Sequence, residues 1–218
     1  TDDSQLEPNA GGGKWERYLF PNNNFANPWF FLNNFNHPFV GPNKFCPVEL
    51  LPLTNNKQDV LNKIEEMIAN GVTHINLGAV WGWRVISPSE PYTAGVAYDN
   101  DEYNKAIIIM TDGSNFISNS SGQYSGYGRL VEGKLGTTNR FVAQNELDNR
   151  LTDVCTKIKA KGILVYTIVF QLFSTSIQNL MRNCATDSGK FYNSPSGADL
   201  ESAFQAIGAE LSNLRIGR

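Results

Sequence analysis

The chain has 218 residues, of which 41% are apolar and 18% charged, with a formal net charge of −3. That composition buries the core of one large domain, or of a domain with a long extension. The balance of charge gives no support to nucleic-acid or anionic-membrane binding, and no apolar run reaches the roughly 18 residues of a membrane span.

In chain order, the opening "TDDSQLEPNAGGGKWERY" lacks the basic start and apolar centre of a signal peptide, so any export signal would lie outside this chain. Residues 1–45 are rich in Asn, Pro, Gly and aromatics and sustain neither strand nor helix periodicity. They read as an irregular excursion whose aromatic side chains need a surface to cover, either packed on the domain or displayed for a ligand.

Regular patterning begins after this. "PVELLPL" (47–53) predicts a short strand, its prolines suiting an edge. "NNKQDVLNKIEEMIANG" places Val60, Leu61, Ile64, Met67 and Ile68 on one helical face with Gly71 as the stop. "INLGAVWGWRVIS" predicts a second helix, closed by Ser87-Pro88. Trp81 and Trp83 stand two apart within it, so one belongs to the core and the other covers the excursion. "AIIIM" (106–110) is a continuous apolar run, as expected for a strand buried on both faces.

A polar loop leads to "FVAQNELDNRLTDVCTKIKAKG", a helix with Val142, Leu147, Leu151, Val154 and Ile158 inward and Gly162 as its end. "ILVYTIVF" (163–170) is a second buried strand, "TSIQNLMRNCA" a short helix and "KFYNS" a short strand. Ser196 and Asp199 form a cap for the last helix, with Leu200, Phe204, Ile207, Leu211 and Leu214 inward. Strands alternating with helices predict an α/β fold: a doubly wound, mostly parallel sheet flanked by helices.

In such sheets ligands collect beyond the carboxyl ends of the strands. Asp112 stands two residues past "AIIIM" and precedes Gly113, which fits both a common turn and a site carboxylate. Thr73 sits in the loop before the second helix, where a hydroxyl caps the helix or joins a hard cation. One Thr and one Asp, both oxygen donors, suit Mg²⁺, Ca²⁺ or Mn²⁺ but supply only part of a six-ligand shell. Ser114 and Asn115 follow Asp112 and either add oxygens near a cation or cap the turn. Asp99, Asp101 and Glu102 read as a solvated loop rather than a second cation site. The three cysteines, Cys46, Cys155 and Cys184, lack CxxC spacing, and with only His37 and His74 they argue against zinc.

"GVTHINLG" followed by "KAIIIMTDGSN" resembles the von Willebrand factor A domain, with Thr73 and Asp112 matching the threonine and second aspartate of its metal-ion-dependent adhesion site. "CPVELLPLT", "WGWRVISP", "KAKGILVYTIVF", "LMRNCAT" and "LSNLRIGR" narrow the resemblance to the C-terminal part of TadG-type proteins of the Tad (Flp) pilus-assembly system, over Cys46 to Arg218. The family's Asp-x-Ser-x-Ser loop is absent here. The resemblance therefore implies residues 46–218 as an A-type domain lacking its first strand or strands, from a longer protein. It also implies a Cys155–Cys184 disulfide, with two buried thiols as the alternative, and a protein partner among pilus-assembly or surface components. Its location would be periplasmic or cell-surface, held by a membrane anchor absent from this chain. A hydrolase is the lesser expectation: there is no GxSxG elbow, no glycine-rich phosphate loop and no strand-end histidine. A structural scaffold with a vestigial metal site is the remaining alternative.

Overall fold

The computed structural model describes residues 47–69, 71–119 and 125–216. The excursion over 1–45, Cys46 and the side chain of Leu214 lie outside the described residues. Five helices and three strands follow in order: α1 (Lys57–Glu65), α2 (Ile75–Ile86), β1 (Ala106–Thr111), α3 (Arg140–Ala160), β2 (Leu164–Phe170), α4 (Thr175–Cys184), β3 (Phe191–Ser194) and α5 (Gly197–Ile216). The strands form one parallel sheet in the order β1-β2-β3, with Ile107 opposite Val165, Thr111 opposite Val169 and Ile168 opposite Tyr192. The molecule is thus the expected α/β class.

Strand residues alternate between two faces. Ile107, Ile109, Val165 and Val169 point to the face covered by α2, α3 and α4, where they meet Val80, Trp83, Leu151, Val154, Ile177 and Met181. Tyr166 and Ile168 point to the opposite face, under Ala203 and Ile207 of α5. A reciprocal cap starts α5: Asp199 Oδ2 accepts from the Ser196 N–H at 3.1 Å, and Ser196 Oγ accepts from the Asp199 N–H at 3.3 Å. Cys155 of α3 and Cys184 of α4 are joined in a buried disulfide, their Cα atoms 5.1 Å apart. Trp83 is buried and donates to Tyr98 Oη at 2.9 Å, while Trp81 is only half-buried and carries Arg84 across its ring.

Several expectations need correction. Residues 47–53 form no strand: Pro47 and Pro52 remove ladder donors, and the segment stays unpaired. Helix α1 ends at Glu65, well before Gly71, and none of its residues is buried. Its apolar face finds no packing partner among the described residues, and a helix this short gains little from propensity alone. Strand β1 is well buried on one face only: Ile108 is 39% and Met110 51% exposed, because among the described residues the cluster under α5 reaches β1 only at Ala106. Val142 and Phe204 are exposed, and Ala143 and Ala203 take the inward positions beside them.

The described residues of the loop after β1 carry apolar side chains that pack. Ile117, Tyr127, Leu130 and Leu135 pack on Ala143 and Leu147 of α3 and on Leu77 of α2, forming a small second core. A Cβ on Gly126 would meet the Leu77 Cδ1 methyl at 2.5 Å, so a larger residue there would have to displace that side chain.

Candidate functional site

The site is built where β1 ends. Thr111 is buried, and its hydroxyl donates to the Gly113 carbonyl at 2.8 Å and accepts from the Gly113 N–H at 3.2 Å. This tight local turn stops the strand and leaves Asp112 at its apex, exposed to solvent. The segment leading into α2 runs alongside. Thr73 Oγ1 lies 3.6 Å from the point where a Cβ on Gly113 would stand. The threonine hydroxyl and the aspartate turn share one corner at the carboxyl end of the sheet.

Two hydrogen bonds lace the loops together. The Phe116 N–H donates to the Thr73 carbonyl at 2.9 Å, and the Ile75 N–H donates to Asn115 Oδ1 at 2.8 Å. The first N–H groups of a helix have no partner within it, and His74, the residue preceding α2, offers no side-chain cap. Asn115 supplies that acceptor from another loop. Its Nδ2 in turn donates to Asp148 Oδ1 of α3 at 2.8 Å. Burial pushes the Asp148 carboxyl up, partly offset by that bond.

The wall behind Thr73 is aromatic and polar. His74 meets the Tyr127 ring edge-on, centroids 5.7 Å apart, and Tyr127 Oη accepts from Asn76 Nδ2. Both ring nitrogens of His74 are buried without a hydrogen-bond partner, and burial lowers its pKa to about 4. It stays neutral near pH 7.

Thr73 and Asp112 therefore lie on adjoining loops, with Asp112 next in sequence to the Gly113 that Thr73 Oγ1 approaches. Ser114 is half-buried next to them. Asn115 is fully buried with both ends of its amide engaged by protein, so it stitches the loops rather than facing an ion. Asp148 and Tyr127 were not marked by sequence; neither lies in a recognisable motif, and only packing brings them here. Asp99, Asp101 and Glu102 lie in a solvent-exposed turn. No group of three or more His, Cys, Asp and Glu placed to hold a metal occurs among the described residues. The corner does have the right kind of donors for a hard cation, a hydroxyl and an exposed carboxylate. At the same end of the sheet Phe173, just past β2, is 81% exposed.

No protein-family model matches the chain, and no curated protein matches it. Among solved structures it is similar to the pilus adhesin SpaC from Lactobacillus rhamnosus GG, with 13% identity and a TM-score of 0.49. The likeness covers 74% of this chain and 22% of the adhesin, so this chain spans about a fifth of the adhesin's length.

Proposed function

We propose that this chain is a non-enzymatic protein-interaction module of the von Willebrand A type, from a pilus-assembly or tight-adherence protein. Its recognition corner is the Thr73–Asp112 pair. The observation that supports the reading is the approach of Thr73 Oγ1, from a separate loop, to Gly113, the residue beside the exposed Asp112. Thr73 Oγ1 and the Asp112 carboxylate would hold Mg²⁺, Ca²⁺ or Mn²⁺ as part of its ligand shell, and the cation would offer positive charge to a partner's carboxylate. The chain's own part is to orient its two oxygens.

Among the described residues no helix is long and apolar enough to cross a membrane. The Cys155–Cys184 disulfide supports an oxidising location, periplasmic or cell-surface, for this segment. An anchor elsewhere in the protein completes that proposal. The short donor set among the described residues favours a second reading, a scaffold whose cation corner is vestigial. Calorimetric titration with Mg²⁺ and Mn²⁺ separates the two. The proposal expects saturable binding that is lost in Asp112→Ala and weakened in Thr73→Ala. Binding that ignores both substitutions, or no binding, supports the scaffold.

A further inference from the structure

We propose that Asn115 is a positioning residue for the Thr73–Asp112 pair, with Asp148 as its anchor on α3. This rests on the reading above that the pair holds a divalent cation. The Asn115 side chain is 0% exposed and answers two different demands. Its oxygen takes the Ile75 N–H at 2.8 Å, and its nitrogen gives to Asp148 Oδ1 at 2.8 Å. A backbone N–H only donates and an ionised carboxylate only accepts, so the amide has one satisfactory orientation. Asp148 thereby fixes the direction in which Asn115 holds the start of α2. Together with the bond from the Phe116 N–H to the Thr73 carbonyl, this clamps residues 73–75 against residues 115–116. The clamp leaves Thr73 Oγ1 facing Gly113 with Asp112 outward.

Removing the amide orphans a buried N–H at the start of α2 and frees the two loops to part. Hard cations accept oxygens only within a narrow distance range, so a small parting weakens binding. Substituting residues that orient metal ligands typically costs about 10–100-fold in affinity.

The test is Mn²⁺ titration of the full chain, read by the electron paramagnetic resonance of free Mn²⁺, with amide hydrogen exchange at Ile75 and Phe116 measured without metal. Asn115→Ala is expected to weaken Mn²⁺ binding about tenfold or more and to speed exchange at Ile75. In the double variant Asn115→Asp, Asp148→Asn, a carboxylate oxygen still accepts from Ile75 and the new amide donates back to it. That variant is expected to recover most of the affinity that Asn115→Asp alone loses by facing Asp148. Ile207→Ala, in α5 on the far face of the sheet, serves as a destabilised control whose Mn²⁺ affinity stays unchanged. Unchanged affinity in Asn115→Ala, no recovery in the double variant, or an equal loss in Ile207→Ala overturns the positioning role while the cation site stands. An unaltered chain that binds no Mn²⁺ overturns the cation reading and this role together.

Discussion

His74 shows how much a single side chain beside the corner can report. Its ring nitrogens are buried and unpartnered, so protonation is disfavoured in the folded chain. The imidazole titrates near 6.5 when unfolded and about 4 when folded, so between those values the unfolded chain binds more protons. Stability contributed by neutral His74 is complete above pH 6.5 and is lost as the pH falls toward 4. Urea unfolding at stepped pH should show a loss of about 2–3 kcal/mol across that window, flattened in His74→Phe. The comparison with the variant matters because Asp148, raised by burial, titrates with the opposite sign. A profile equally steep in both proteins would place the effect elsewhere. At this scale Asp112 was legible, since an apolar run ending in Thr-Asp-Gly announces a strand-end turn. The inward role of Asn115 was not. It depends on the start of α2 lying beside the loop after β1, which no local spacing encodes.

The elements themselves were readable wherever burial is periodic. Helices α2, α3, α4 and α5 and strands β1, β2 and β3 follow patterns the sequence carries openly. The misreadings came where neighbours decide the outcome: among the described residues, 47–53 lacks a strand partner and the apolar stripe of α1 is exposed. That stripe gives a sharp expectation. Ile64→Lys, at a site 54% exposed, should change unfolding free energy by no more than about 0.5 kcal/mol, measured by chemical denaturation. A loss of about 2 kcal/mol or more would mean that the stripe is covered in solution. The disulfide between α3 and α4 predicts the reverse. It spans a sequence separation of 29, so Cys155→Ala, Cys184→Ala should cost about 3–4 kcal/mol in the same assay. An unchanged midpoint would show that packing alone joins the two helices.

For the whole molecule, among the described residues the sheet is covered on one side by three helices and on the other by α5, whose cluster reaches β1 only at Ala106. Alternate β1 residues should therefore differ sharply. Ile109→Ala, 7% exposed, should cost about 2–4 kcal/mol, and Met110→Ala, 51% exposed, under about 1 kcal/mol. Equal costs would show β1 buried on both sides in solution. The same architecture turns the carboxyl ends of the strands outward, and the account depends on a cation being held there. Paramagnetic broadening of the full chain's amide resonances by substoichiometric Mn²⁺ locates it directly. The account predicts that Thr73, Asp112, Gly113 and Ser114 broaden first and that Asp112→Ala abolishes the effect. Broadening centred on the Asp99–Glu102 turn, or a pattern indifferent to Asp112, would contradict it.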